Sequence, residues 1–413
     1  MRRKLAMFGL ACCLLLVWLG PAALAAGTAP ASAAPERYVI FGDSLAIGFE
    51  PGLTTASVPY GYSDRVYEQA LLRGRITMAN YGIGGLTSSG LKTMMQAVAE
   101  GRKIKGSDIQ PSLPDPRADQ VVADTAKIKA DIAAATFITI TIGGNDIGAK
   151  IINELKDMDD AQLDTFASQW MSTYTDNVTS VLQNLFAINP KARIYIADQY
   201  SPVPAVMKAE YPKAQKLKNG FTATLKKIEQ SFRDKKYEIT AVPVAEAFVG
   251  NEGTYSHIAV RDIHPNQSGY DKIAEIFAKS IWGEYRNGLI RTEPITVVVA
   301  GRTVQTPHVP ALLQGSTFVP LREYAEALGA TVDWNAATQT ATVRYSGNSV
   351  ALTIDSATIV VGGVPKTIGE LPAPHAHESA GETKTYIPLR LMAEGLGFDV
   401  QYVPQSSTAY INP

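Results

Sequence analysis

Cysteine is nearly missing from this chain. Of 413 residues only Cys12 and Cys13 are cysteines. Both lie in an apolar N-terminal run, so the rest has no disulfide, thiolate metal site or cysteine nucleophile. An excess of either charge sign is missing too. Lys+Arg number 38 and Asp+Glu 39, so no strong field invites nucleic acid or an anionic membrane. Charged residues make up only 19% against 46% apolar, the balance of a packed globule rather than of a disordered chain.

The long apolar stretch stands at the start. Arg2, Arg3 and Lys4 precede Leu5 to Leu19, Gly20-Pro21 breaks the run, and Ala22 to Ala26 follow. A basic segment, an apolar segment and an A-x-A-like site at Ala23-Leu24-Ala25 are the parts of a secretory signal peptide. The apolar run is shorter than the roughly 20 residues that a spanning helix needs. Cys12 and Cys13 sit in its middle, not at its end where a lipidated cysteine would stand. The expected organisation is a signal peptide over 1–25, a linker over 26–36, and two domains over 37–288 and 289–413. The mature protein is expected to be secreted or cell-surface associated, without a transmembrane anchor.

From Arg37 strands alternate with helices. Strand-like runs are Tyr38 to Phe41, Ile76 to Ala79, Phe137 to Ile142, Arg193 to Ala197 and Glu238 to Val242. Helix-like stretches are Gln120 to Ala134, Ala161 to Asn189, Ala205 to Asp234 and Gln267 to Tyr285. This order predicts an α/β domain, a mostly parallel sheet covered on both faces. Chemistry in such sheets collects beyond the carboxyl ends of the strands. Glu100 to Asp119 has no clear periodicity and reads as a surface loop, with a wall of the site as the other reading.

Four blocks carry candidate chemistry. Gly42-Asp43-Ser44-Leu45 follows the first strand, where a serine can cap a helix or present a nucleophilic hydroxyl. Asn80 to Thr87 is a glycine-dense turn whose backbone N–H groups can approach a ligand; it lacks the spacing of a nucleotide-binding loop. Gly143-Gly144-Asn145-Asp146 follows the most strand-like run, and the Asn145 amide can cap a helix or face an oxyanion. Asp262-Ile263-His264-Pro265-Asn266 offers an imidazole able to serve as general base. Asp43 and Asp146 read as structural groups bonded to turn backbones.

In their order these blocks resemble the SGNH (GDSL) hydrolase family over about Tyr38 to Tyr285. The resemblance implies a flavodoxin-like three-layer α/β/α sandwich and hydrolysis of carboxylic esters with no cofactor and no metal. It makes Ser44 the nucleophile and His264 the base. Oxyanion donors would be the Ser44 and Gly85 backbone N–H groups and the Asn145 side chain. The family's acid stands three residues before the histidine, where this chain has Arg261, which cannot accept a hydrogen bond. Two arrangements are open. Asp262 orients the ring, as i and i+2 side chains of an extended segment face the same way, or a backbone carbonyl does so and a Ser–His dyad remains.

After Asn287 the character changes to short β-rich runs with an internal repeat. Thr317-Phe318-Val319-Pro320-Leu321-Arg322 returns as Thr385-Tyr386-Ile387-Pro388-Leu389-Arg390, and Ala325 to Gly329 as Ala393 to Gly397. Each unit is expected to hold strands and a short helix opening at Pro-Leu-Arg. These elements resemble the copper amine oxidase N-terminal domain over about Glu293 to Pro413, which implies a non-catalytic extracellular module. His375 and His377 read as loop histidines rather than metal ligands.

The function expected is a secreted esterase or lipase-like hydrolase. Its substrate is open between short acyl esters, lysophospholipids and acyl groups on polysaccharide, with possible cell-wall contact through the second domain and no nucleic acid partner. A non-catalytic surface-binding protein on a decayed scaffold and a polysaccharide O-acyltransferase are the alternatives.

Overall fold

The computed structural model describes residues 35–54, 57–148, 151–287 and 289–413. The expected signal peptide, both cysteines and nearly all of the expected linker lie outside the described residues.

Five parallel strands form the first sheet: β1 (Glu36–Gly42), β2 (Ile76–Gly82), β3 (Phe137–Thr141), β4 (Arg193–Ala197) and β5 (Ile239–Val242). Their order is β2-β1-β3-β4-β5, and each neighbouring pair runs parallel. The chain therefore reverses its direction of winding at β1 and β3, and a crevice opens at their carboxyl ends. Alternation along β1 divides the interior. Val39 and Phe41 face one apolar cluster, while Tyr38 and Ile40 face another, as the two-residue period of a strand requires.

Six long helices cover the two faces: α1 (Tyr62–Leu71), α2 (Ser88–Glu100), α3 (Thr125–Ala134), α4 (Asp160–Ile188), α5 (Tyr211–Arg233) and α6 (Gln267–Trp282). α2 to α5 close the Val39 side, and α1 and α6 the Tyr38 side. The result is a three-layer α/β/α sandwich. The sequence patterns found α3 to α6 with shifted ends and did not reveal α1 or α2. In α1 the face turned inward carries Arg65, Glu68 and Gln69, polar groups satisfied by specific partners, which hides the apolar period.

The C-terminal residues build three mostly antiparallel sheets and two short helices. Strand β6 (Ser316–Pro320) leads into α7 (Leu321–Ala327), and β7 (Glu382–Pro388) into α8 (Leu389–Gly395). These are the two copies of the repeat, and they pair with each other, Val319 opposite Ile387. A further strand, β8 (Thr408–Asn412), lies inside its sheet with every residue buried.

This module is fused to α1. Val298, Val403 and Tyr410 share one apolar cluster with Tyr62, Val66 and Leu71. The Tyr410 hydroxyl donates to Glu68 Oε2 (2.8 Å), and Asn412 Nδ2 donates to the carbonyls of Leu71 (2.9 Å) and Gly74 (3.0 Å). Arg75 donates to the carbonyls of Pro413 (2.8 Å) and Gly397 (2.5 Å).

Candidate active site

Ser44 stands just past β1. The turn needs glycine at 42, where φ is +145° and an added Cβ would lie 2.3 Å from the Thr141 carbonyl oxygen. Asp43 locks the turn: its Oδ1 accepts from the Leu45 N–H (3.1 Å) and the Thr141 hydroxyl (3.3 Å). Burial pushes its carboxyl up to about 7, because low dielectric disfavours the charged form. Ser44 itself is 8% exposed.

Opposite stands His264. Its Nε2 lies 2.9 Å from Ser44 Oγ, although the two residues are 220 positions apart in the chain. Its Nδ1 lies 2.7 Å from Asp262 Oδ1, which also accepts the His264 backbone N–H at 2.8 Å. With the carboxylate able only to accept, Nδ1 carries the proton and Nε2 is free to accept from the serine. Asp262, not a backbone carbonyl, therefore meets the ring. Arg261 adopts a left-handed conformation (φ 62°) at the end of a short 3₁₀ turn, and the Asp262 carboxylate two residues before His264 meets both its backbone N–H and its ring.

The histidine loop is held from several sides. The His257 N–H donates to the His264 carbonyl (2.9 Å), and the Tyr200 hydroxyl to the Ile263 carbonyl (2.5 Å). Phe49 sets its ring against the imidazole at 4.6 Å between centroids. Asn266 caps α6 through the Gly269 N–H (3.0 Å). Gly269 admits no side chain, since a Cβ there would fall 2.0 Å from the Tyr255 carbonyl oxygen. Phe49 and Tyr200 belong to none of the four sequence blocks, and nothing local in the sequence marks them.

The glycine turn and the asparagine block reach the same edge. Gly82 packs on Ala46 and Ile47, and the Ile83 N–H donates to the Gly42 carbonyl (3.0 Å). The Gly84 N–H is taken by Asp115 Oδ2 (2.9 Å). The Ser44 and Gly85 N–H groups have no acceptor among the described residues. Asn145 Nδ2 donates to the Leu86 carbonyl (3.0 Å) and its residue lines the same cavity as Ser44 and His264. Asp146 Oδ1 accepts the Ser88 N–H (2.7 Å), and burial raises its carboxyl above the usual range.

The segment Glu100 to Asp119 does not line this cavity. It packs behind the glycine turn, with Pro114 over Gly85 and Gln110 Nε2 donating to the Gly85 carbonyl (2.9 Å). The cavity beside Ser44 holds about 330 Å³. Its walls are mostly apolar, formed by Ile147, Ile151, Ile152, Leu155, Trp170, Val203 and Leu217, with Gln199, Ser201, Lys218 and Arg261 adding polar groups. Among the described residues no cluster of three or more His, Cys, Asp or Glu side chains is arranged to hold a metal ion. Nor is any described helix long and apolar enough to cross a membrane.

A serine, an imidazole and a carboxylate in hydrogen-bonded series at the carboxyl edge of a parallel α/β/α sandwich is an arrangement that serine hydrolases use. The model of the GDSL-like lipase/acylhydrolase family matches residues 40–272, and the chain belongs to that family, a family of ester hydrolases. The copper amine oxidase N-terminal domain matches residues 298–411. No curated protein matches the chain. Among solved structures, a lipase from a goat rumen metagenome is 21% identical, covering 59% of this chain and 95% of its own, with a TM-score of 0.40. An acetylxylan esterase from Geobacillus stearothermophilus is 16% identical over 61% of this chain and 97% of its own, with a TM-score of 0.37. A family 3 carbohydrate esterase from Clostridium thermocellum is 16% identical over 60% and 94%, with a TM-score of 0.34.

Proposed function

We propose that this protein is a secreted serine hydrolase that cleaves carboxylic esters whose acyl chain enters the apolar cavity beside Ser44. The observation that carries the reading is the imidazole of His264 bridging Ser44 Oγ at 2.9 Å and Asp262 Oδ1 at 2.7 Å.

In this reading Ser44 Oγ attacks the acyl carbonyl while His264 Nε2 takes the hydroxyl proton. Asp262 stabilises the imidazolium that results. The Ser44 and Gly85 N–H groups and Asn145 Nδ2 receive the oxyanion, fixed dipoles that need no rearrangement as charge develops. Collapse of the tetrahedral intermediate breaks the bond to the alcohol, which leaves with the proton from Nε2. Water then attacks the acyl-enzyme, gives its proton to Nε2, and the carboxylic acid departs as the proton returns to Ser44. Secretion is supported by the basic, apolar and small-residue pattern of residues 1–25.

Hydrolysis of p-nitrophenyl butyrate by the wild type and by Ser44→Ala tests the proposal. Loss of the nucleophile is expected to lower kcat by at least about 10³-fold, leaving what binding and oxyanion contacts provide. Turnover that survives in Ser44→Ala would remove the serine from the mechanism.

A further inference from the structure

The cavity beside Ser44 is apolar over most of its wall, yet α5 contributes a lysine to it. Ala214, Leu217 and Lys218 all line the cavity. Their spacing of three and four residues places them on one face of the helix, so that face is turned to the cavity. Lys218 is only 8% exposed. An apolar side chain there would simply extend the lining, whereas a buried ammonium is costly unless something compensates its charge.

The protein itself compensates little. Lys218 Nζ donates to Glu246 Oε2 at 3.4 Å, a long contact to a carboxylate whose side chain is 81% exposed, so water screens it. The Lys218 charge also reaches the buried Asp198. That carboxyl turns its oxygens elsewhere, accepting from the Ala245 N–H (2.7 Å) and the Thr222 hydroxyl (2.7 Å). An ammonium carries three donors, and beyond Glu246 those of Lys218 meet no acceptor among the described residues.

Arg261 adds a second cation to the same wall. It is exposed, and its guanidinium has no hydrogen-bond or ion-pair partner among the described residues. Two carboxyls also line the cavity, Asp43 and Asp262. Asp262 is engaged by His264, and burial pushes the Asp43 carboxyl up to about 7, so neither offsets the two cations in full. The wall therefore draws a negative charge and repels a positive one. Methylenes ending in a carboxylate match apolar walls that hold an under-compensated ammonium.

We propose that the cavity takes the acyl group of a dicarboxylic acid monoester, with Lys218 as the residue that receives the distal carboxylate. The proposal rests on the serine hydrolase reading of Ser44 and His264. The chemistry at Ser44 is unchanged: the bond to the alcohol breaks, water supplies the new oxygen, and the dicarboxylate leaves. The distal carboxylate takes no part in bond making.

Two pairs of esters test it: mono-p-nitrophenyl adipate against p-nitrophenyl hexanoate, and mono-p-nitrophenyl suberate against p-nitrophenyl octanoate. Within a pair the acyl chains have equal carbon counts and differ only in a carboxylate for the terminal methyl. The quantity read is the ratio of kcat/KM, diacid ester over monoacid ester. At least one ratio is expected to reach or exceed unity in the wild type. Lys218→Met keeps an unbranched stem and removes the charge, and it is expected to lower that ratio about 10- to 100-fold, the effect of a hydrogen bond between charged groups. Wild-type ratios below about one tenth for both pairs overturn the proposal, since a carboxylate entering without a partner loses at least that much. A ratio within twofold of wild type in Lys218→Met overturns it as well. Failure of the wild type on all four esters would instead overturn the hydrolase reading, so the two failures are distinguishable.

Discussion

Asp262→Asn isolates the charge of the candidate triad acid. The substituted side chain keeps an oxygen able to accept from the His264 backbone N–H, now 2.8 Å away, so the loop survives, while an amide turned to the ring adds a wrong-tautomer loss to that of the charge. What disappears is a negative charge beside an imidazole that becomes cationic in the transition state. Two unit charges about 4 Å apart at an effective dielectric of about 20 attract by about 4 kcal/mol, or about three decades in rate. The Asp262 side chain is 29% exposed, so water screens part of this. The expected loss in kcat is therefore about 10²- to 10³-fold, with KM little changed and the melting temperature within a few degrees of wild type. Steady-state kinetics on a p-nitrophenyl ester, with a thermal melt alongside, decide the matter. A loss of less than threefold in a stably folded variant would refute the electrostatic role and leave a Ser–His dyad.

The apolar cavity makes acyl length a second lever. Each methylene buried there contributes about 0.8 kcal/mol, about fourfold in kcat/KM, so hexanoyl esters should exceed acetyl esters by roughly 10²-fold. A flat series from acetyl to hexanoyl would show that the chain does not enter this cavity. Asn412→Ala strips a buried amide, 2% exposed, from the Leu71 and Gly74 carbonyls, and urea denaturation should register a loss of roughly 1–3 kcal/mol. An unchanged midpoint would show that those carbonyls find other donors. Asp43 holds its proton up to about pH 7, against a reference value of 3.8. The folded state therefore binds more protons than the unfolded one between those limits. Stability from this group falls as pH rises through that window, by roughly 4 kcal/mol in all. Asp43→Asn should gain on wild type between pH 4 and pH 7 in urea midpoints, and a gap that stays constant with pH would contradict the raised value.

The strand-and-turn skeleton of the sandwich was legible because β1 carries an unbroken apolar run, β3 a β-branched one, and both lead into glycine turns. The residues brought together at the sheet edge were legible for a different reason. Ser44, Asn145 and His264 each lie in a short block with a distinctive order of residue types. Asp262 was only half legible. Sequence offered the carboxylate two residues before His264, while nothing in the sequence says whether it or a backbone carbonyl meets the ring. The cavity walls were not legible at all. They come from Gly144–Ile147, Ile151–Leu155, the middle of α4, the loop after β4 and the start of α5. Nothing within any one of these segments says that they converge. Glu100 to Asp119 shows the converse: an aperiodic insertion that could have framed the pocket supports the glycine turn from behind.

The junction between β8 and α1 bears on how the molecule comes apart. Two family modules joined by a loose tether would melt separately, each with its own midpoint. Here Tyr410, Val298 and Val403 complete the apolar layer against α1, and Glu68 is buried between hydroxyls from both halves, those of Tyr60 and Tyr410. Opening the C-terminal half therefore strips α1 of its outer cover and strands a buried carboxylate, so calorimetry should record one cooperative transition. A protease or a truncation that removes β8 would not trim an accessory; it would unseat the helix that faces β1, the strand from which Ser44 is presented.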